Sequence, residues 1–242
     1  IFFIYTVFMA QVKTQTEIAY LTEACRLADN IFSQTLTYIK KTYKNKQTLS
    51  EIEVRDYIVA LIKKQKLRPS FPPIVTSGKN AGNDIHPSAT NQKLEGFVII
   101  DLGVRYRGYC SDMTRTVYVG KAKKTDMQLY KKIYDAQIRA VGASKSGVLC
   151  STIDTQTRIN LGIYAKYFIH TLGHGVGRKI HEAPILYERH TKPILKKGMV
   201  VTIEPGIYIP NKLGIRIEDT LVVTPTKPII LTKSPKKLVV IN

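Results

Sequence analysis

Two apolar segments constrain the fold of this chain more than any other feature. Residues 97–119 and 200–223 each read as two strands around a turn, because apolar runs flank a short polar stretch. Each segment also carries two acidic residues: Asp101 and Asp112 in the first, Glu204 and Glu218 in the second. Buried carboxylates are costly unless something cationic compensates them. If these four groups are buried, the fold has to bring positive charge to them.

Helical patterns precede each strand pair. Thr14 with Glu17, and Ser50 with Glu53, have the spacing of capping boxes, and apolar residues follow both at helical period. Between the two strand pairs, residues 126–141 and about 152–164 predict two more helices.

The remaining elements are a turn-rich loop at 77–84 and a final strand at 237–241. The order helix, helix, hairpin thus occurs twice. It predicts an α+β domain of two similar halves, with antiparallel sheet flanked by helices.

A simple register places the first two acids face to face. A hairpin centred between Tyr106 and Arg107 puts Asp101 directly opposite Asp112. Opposite side chains of an antiparallel pair have Cβ atoms about 4.5–5.5 Å apart, and like charges there are destabilising.

The second hairpin repeats this arrangement. If it is centred on Asn211, Glu204 lies opposite Glu218. Arg105 and Arg115 could offset part of the charge, but two divalent ions would offset more. On the spacing alone, two ordinary polar hairpins with solvated acids remain an equal alternative.

Three of the five histidines lie in the glycine-rich segment 168–184: His170, His174 and His181. Glycines at 173, 175 and 177 argue against a helix and predict extended or irregular backbone. No second histidine follows His181-Glu182 at helical zinc-protease spacing, and no nucleophile elbow or phosphate-binding loop occurs. Beside four acids, these histidines are candidate ligands. An oxygen-rich set with one imidazole suits Mn, Fe or Co more than a thiolate-rich zinc site does.

The overall composition limits which other classes of protein this chain can belong to. The formal net charge is +19, but the lysines occur in short scattered groups without a nucleic-acid-binding motif, so we expect no nucleic-acid partner. Three widely spaced cysteines predict neither a disulfide framework nor a structural zinc site, and suit a reducing, cytoplasmic compartment. The apolar stretch 1–8 is too short to span a membrane. We interpret residues 1–12 as the end of an upstream domain or a linker, and 13–242 as the domain that carries the candidate site.

Several ordered motifs resemble those of the pita-bread metallopeptidases, the family of methionine aminopeptidase, aminopeptidase P, prolidase and creatinase. They are residues 100–103 (IDLG) with 108–116 (GYCSDMTRT), 173–177 (GHGVG) with His181-Glu182, 202–208 (TIEPGIY) and 214–220 (GIRIEDT). The resemblance covers about residues 14–223 and implies the pita-bread fold. It is greatest to the Xaa-Pro branch, aminopeptidase P and prolidase, because methionine aminopeptidases usually carry a different segment in place of 214–219.

The resemblance also implies a site. Asp101 and Asp112 would ligate one divalent ion, with Asp112 and Glu218 bridging two, and His174 and Glu204 would complete the other. A bridging hydroxide would attack the scissile carbonyl, with Glu204 as proton shuttle.

Other residues would assist, by the same resemblance. His86 and His181 would stabilise the tetrahedral intermediate and the substrate. His170 and Arg216 would shape a proline subsite.

The expected function is therefore hydrolysis of the N-terminal Xaa-Pro bond of dipeptides or short peptides, with Mn as the first choice of metal and Co, Fe or Zn as alternatives. A homodimer and the absence of a membrane partner are further expectations. Two other functions stay open: a methionine aminopeptidase, and a non-catalytic pita-bread protein that binds proteins or nucleic acid.

Overall fold

The computed structural model describes residues 11–242, so residues 1–8, Met9 and most of the predicted 1–12 segment lie outside the described part. The helices are α1 (Gln15–Lys44), α2 (Glu51–Lys64), α3 (Gly78–Asn83), α4 (Lys124–Ala143), α5 (Cys150–Leu161) and a 3₁₀ helix, Gly162–Tyr167. The strands are β1 (Arg68–Pro69), β2 (Ile74–Ser77), β3 (Gly96–Leu102), β4 (Val104–Tyr106), β5 (Tyr109–Cys110), β6 (Met113–Val119), β7 (Gly173–Gly175), β8 (Glu182–Leu186), β9 (Val200–Ile203), β10 (Gly206–Ile209), β11 (Leu213–Arg216), β12 (Asp219–Val222), β13 (Ile229–Ile230) and β14 (Val240–Ile241). From residue 11 onward, no helix combines the length and the apolar character needed to cross a membrane.

Each half of the chain pairs two helices with one sheet. In the first half, α1 and α2 share a hydrophobic cluster with the sheet β14-β6-β3-β2, whose pairs are antiparallel except for β14 with β6. In the second half, α4 and α5 pack with the antiparallel sheet β13-β12-β9-β7-β8. The smaller sheets β1-β4-β5 and β10-β11 extend the two hairpins. The predicted α+β arrangement of two similar halves is confirmed.

Both predicted capping boxes start helices. At α1, Glu17 N donates to Thr14 Oγ1 over 3.3 Å, and Thr14 N donates to Glu17 Oε2 over 2.8 Å. Ser50 and Glu53 make the same reciprocal pair at α2. Each cap satisfies backbone N–H groups that the helix leaves unpaired, and is worth about 1 kcal/mol.

The second hairpin has the predicted register. Pairs such as Ile203 with Asp219 and Gly206 with Arg216 fit a turn centred on Asn211, whose φ is 58°. The ladder is interrupted at residues 204–205 and 217–218, where Glu204 and Glu218 lie.

The predicted register of the first hairpin is wrong by one position in the turn. Asp101 pairs with Thr114 rather than with Asp112. The turn is centred between Arg107 and Gly108, whose φ angles are 48° and 86°. A two-residue turn of type I′ needs positive φ at both positions and matches the twist of the flanking strands, and Gly108 adopts it without steric cost.

The predicted loop at 77–84 is also wrong, because most of it forms the short helix α3. This helix packs against β10 and β11 so closely that a Cβ on Gly82 would lie 2.3 Å from Ile209 O. Its last residue, Asn83, accepts a 2.7 Å hydrogen bond from Asn211 N. Glycine and asparagine are poor helix formers, so the packing against the second hairpin stabilises this helix.

Candidate metal centre

The five predicted ligands all lie where strands end or break. They are Asp101 near the end of β3, Asp112 just before β6, His174 in β7, Glu204 just after β9 and Glu218 just before β12. Four of them are at most 6% exposed, and the Glu204 side chain is 15% exposed. The two hairpins thus present their acids to one buried place, beside the glycine-rich strand that carries His174.

The His174 ring lies at the centre of this group. Its Nε2 is 3.6 Å from Asp112 Oδ2 and 3.4 Å from Glu204 Oε1. Asp112, His174 and Glu218 each offer one ligand atom, and these three atoms lie within 4.8 Å of one another. Atoms that share one ion at about 2.1 Å lie about 3–4.2 Å apart, so this spacing suits a shared divalent ion.

The hydrogen bonding of the Asp101 carboxylate also suits a bound divalent ion. Its Oδ2 accepts a 2.7 Å hydrogen bond from Arg216 Nη2, but its buried Oδ1 has no hydrogen-bond partner among the described residues. Buried polar atoms are normally paired. An unpaired carboxylate oxygen beside three further acids is what a cation would satisfy.

The electrostatics of the cluster show how unfavourable four acids are here. Burial raises the pKa of Asp112 and of Glu218 well above their usual ranges, and neighbouring carboxylates raise both further. Burial also raises the pKa of Glu204 to about 8. Burial and the adjacent His181 ring lower the pKa of His174 to about 3, so its imidazole is neutral, the form that binds metals. Divalent ions would relieve this repulsion.

Threonines hold the acids in place, and the sequence reasoning missed them. Thr114 Oγ1 donates to Glu218 Oε2 over 2.8 Å. Thr202 Oγ1 donates to Glu204 Oε1 over 3.1 Å and accepts from His174 N over 3.0 Å. The available signal was spacing, because Thr202 is two residues from Glu204 and so shares a strand face with it.

A row of hydrogen bonds connects Asp101 to His170. Arg216 donates to Asp101, and its Nη1 donates to Tyr208 OH over 2.7 Å. Tyr208 OH lies 3.1 Å from His170 Nε2. Arg216 also donates to Thr114 and to the carbonyl of Ile85. Both predicted subsite residues, His170 and Arg216, are thus joined through Tyr208, which the sequence reasoning did not single out.

The two remaining predicted histidines lie at the edge of the cluster and are exposed. The His181 ring centroid is 4.4 Å from that of His174. His86 follows Ile85, whose carbonyl oxygen Arg216 binds. Both imidazoles are therefore next to the buried acids but accessible from outside.

Neither arginine first considered as a counter-charge reaches the four acids. Arg115 Nη2 pairs with Asp219 Oδ1 at 2.8 Å, while Arg105 donates to the carbonyl of Arg178. Arg115 still supports the site, because it also donates to the Glu218 carbonyl. Among residues 11–242, the arginine that does pair with the cluster is Arg216, through Asp101.

Comparison with known proteins gives consistent matches. Residues 19–225 match the sequence model of metallopeptidase family M24. An Xaa-Pro dipeptidase of Pyrococcus furiosus is 37% identical over 231 residues, which are 94% of this chain and 64% of that protein.

Two solved structures are similar over nearly the whole chain. The Xaa-Pro dipeptidase of Bacillus anthracis has a TM-score of 0.88 at 39% identity, covering 96% of this chain and 64% of that one. The X-Pro aminopeptidase of Thermotoga maritima has a TM-score of 0.87 at 30% identity, covering 96% and 65%. This chain thus spans slightly less than two thirds of the length of these proteins. The expected pita-bread fold is confirmed.

Proposed function

The chain belongs to metallopeptidase family M24, and we propose that it is a two-metal exopeptidase that cleaves the bond between an N-terminal residue and a following proline. One observation carries the proposal: four acids and a neutral imidazole, drawn from both halves of the fold, meet in one buried cluster. Four carboxylates are seldom buried so close together in a protein unless a cation compensates their charge.

The proposed ligand assignment follows the positions. Asp101 and Asp112 would hold one ion, His174 and Glu204 would hold the other, and Asp112 and Glu218 would be shared between them. Mn is the first choice, with Co, Fe or Zn as alternatives, because the donors are mostly carboxylate oxygens. The unpaired Oδ1 of Asp101 and the spacing around His174 support this assignment.

When bound, the ions supply a deprotonated water as the nucleophile and polarise the scissile carbonyl. Glu204 takes up the proton of that water and passes it to the departing amine. Thr202 keeps the Glu204 carboxylate oriented for this task. His86 and His181 reach the site from its exposed edge, where their N–H groups stabilise charge that develops on the carbonyl oxygen.

The proline side of the substrate lies against the Arg216–Tyr208–His170 row in this proposal. The guanidinium of Arg216 donates hydrogen bonds to Asp101, Thr114, Tyr208 and the Ile85 carbonyl. It therefore shapes the subsite by orienting Tyr208 and His170 rather than by binding proline itself.

The relatives favour the Xaa-Pro reaction over removal of methionine. Those named above are an Xaa-Pro dipeptidase or an X-Pro aminopeptidase, and segment 214–219 resembles that branch. Cytoplasmic location and a homodimer are further parts of the proposal.

The test is hydrolysis by metal-stripped and Mn-reloaded protein of three substrates: an Ala-Pro dipeptide, an Ala-Pro-Ala tripeptide and a Met-Ala-Ala tripeptide. Metal-dependent release of the residue before proline is expected. Release of Met alone would identify a methionine aminopeptidase, and no hydrolysis at all would favour the non-catalytic alternative.

A pair of histidine variants serves as control. His174→Ala should abolish hydrolysis, whereas His190→Ala, whose ring contacts Tyr187 outside the cluster, should not.

A further inference from the structure

The segment 77–92, which carries His86, is tied at its base to a single buried carboxylate. Glu51, the first residue of α2, is 0% exposed. Its two oxygens accept five hydrogen bonds of 2.6–2.9 Å, all from this segment: from Ser77 N, Asn80 Nδ2, Thr90 N, Thr90 Oγ1 and Gln92 Nε2. The donors flank His86 on both sides in the sequence.

No lysine or arginine between residues 11 and 242 forms a salt bridge with Glu51. Neutral donors and the positive end of the α2 dipole are what stabilise this carboxylate. Burying an acid without a counter-ion is costly. A buried acid whose donors all come from one segment indicates that it orders that segment.

The far end of the segment is attached to the candidate site. Arg216 Nη1 donates to Ile85 O over 2.9 Å, directly before His86. His86 N in turn donates to Asp84 Oδ1 over 3.0 Å. The segment is therefore held at its base by Glu51 and at its tip by Arg216, and the exposed residue His86 lies at the tip.

We infer that Glu51 is a positioning residue for His86: it sets the place of the His86 ring at the candidate site by fixing both ends of segment 77–92. This inference rests on the proposed function, in which His86 contacts the reacting substrate. Glu51 itself is remote from the substrate and acts only through the segment.

The substitution Glu51→Gln removes the acceptor capacity of one oxygen while keeping the size of the side chain. Either Ser77 and Gln92, or Asn80 and Thr90, then face an amide N–H₂ that cannot accept their hydrogen bonds. The base of the segment opens, and the tip moves with it. A displacement of about 1 Å at a catalytic group can cost on the order of 10²-fold in rate. We expect kcat/KM to fall by about 10- to 100-fold.

The matched control is Glu53→Gln. Glu53 lies in the same first turn of α2, but its carboxylate is exposed. Within residues 11–242 it accepts hydrogen bonds from Ser50 alone and forms a 4.0 Å ion pair with Lys93. Glutamine also serves at this capping-box position. Glu53→Gln should leave kcat/KM within about twofold, which separates loss of charge in this turn from loss of the segment anchor.

The decisive measurement is a double-mutant cycle with His86→Ala on Ala-Pro or Ala-Pro-Ala, whichever the wild-type protein cleaves faster. If Glu51 acts through His86, Glu51→Gln costs 10- to 100-fold in the wild-type background but less than about twofold in the His86→Ala background. Equal losses in both backgrounds, or no effect of His86→Ala alone, would overturn the inference.

Amide hydrogen exchange supplies a readout that does not depend on activity. Glu51→Gln, and the milder Thr90→Val, which removes one hydroxyl donor, should speed exchange in residues 77–92 and leave residues 126–141 of α4 unchanged. A uniform increase over the whole chain would mean that Glu51 only stabilises the fold, and would overturn the inference. Absence of Xaa-Pro hydrolysis by the wild-type protein would instead refute the proposed function, and the exchange pattern would still report on the anchor.

Discussion

Replacing Arg216 by alanine should destabilise the protein and disable its metal site together. Arg216 is 2% exposed, and its guanidinium binds Asp101 at 2.7 Å, Tyr208 at 2.7 Å, the Ile85 carbonyl at 2.9 Å and Thr114 at 3.1 Å. Removing one partner of a buried ion pair costs about 3–5 kcal/mol, because the other charge stays buried and unpaired.

The structure thereby changes what is expected of this residue. The family resemblance implied that Arg216 mainly shapes the proline subsite. Its direct bond to Asp101 instead predicts that Arg216→Ala lowers metal content and reduces hydrolysis of Xaa-Pro and Xaa-Ala substrates alike. For a chain of this size about 1 kcal/mol shifts Tm by roughly 2–4 °C, so the expected loss is roughly 6–20 °C.

The assay is calorimetric or circular-dichroism melting of metal-loaded and chelated protein, with metal content measured by elemental analysis. Arg55→Ala is the control, since Arg55 forms an ion pair with the exposed Asp56 on α2 and its loss should change stability by less than about 0.5 kcal/mol. If Arg216→Ala melts within 2 °C of the wild type and keeps both metals, the argument from its buried contacts is refuted.

Three further outcomes are expected from the acidic cluster. Chelation should lower Tm and Mn should restore it, since binding at a hundredfold excess over Kd adds about 2.7 kcal/mol; a melting curve indifferent to both treatments contradicts a metal site. Glu204→Gln should cut kcat by about 10²–10⁴-fold at full metal occupancy, and near-normal steady-state turnover would remove its role as proton shuttle. Metal-free protein should lose stability in urea titrations as pH rises from about 5 to 8: burial raises the folded-state pKa of Glu204 from 4.5 to about 8, so deprotonation costs more in the folded state. A stability that stays constant or increases over this range would contradict a raised pKa of the buried acids.

Local sequence was enough to predict the main elements, because their causes are local. The two capping boxes place their hydrogen-bond partners within four residues, and α1 and α2 begin where Thr14 and Ser50 predict. The second hairpin has its predicted register because Asn211 tolerates positive φ at the centre of its turn. The motifs likewise indicated the family and the five candidate ligands without knowledge of the fold.

The first hairpin and α3 show two different reasons why a prediction was wrong. In the first hairpin the turn lies at Arg107-Gly108, so Asp101 pairs with Thr114 rather than with Asp112, and the preference of glycine for positive φ was the local signal that the predicted register did not use. Helix α3 forms because Gly82 and Asn83 fit against the second hairpin, which lies about 130 residues later in the chain. No local preference encodes such a contact.

The arrangement of the candidate site depends on how the two halves of the fold pack against each other. Hydrogen bonds join β6 and the residues before it to the second hairpin: Thr116 Oγ1 to Arg216 O, Glu218 N to Thr114 O, and Thr220 Oγ1 to Asp112 O. This alignment brings Thr114 to Glu218 and Arg216 to Asp101. The sequence alone determined which residue types were available and which strands carried them. Which acid received which partner depended on side-chain contacts between residues about 100 positions apart, and those contacts exist only once both cores have packed.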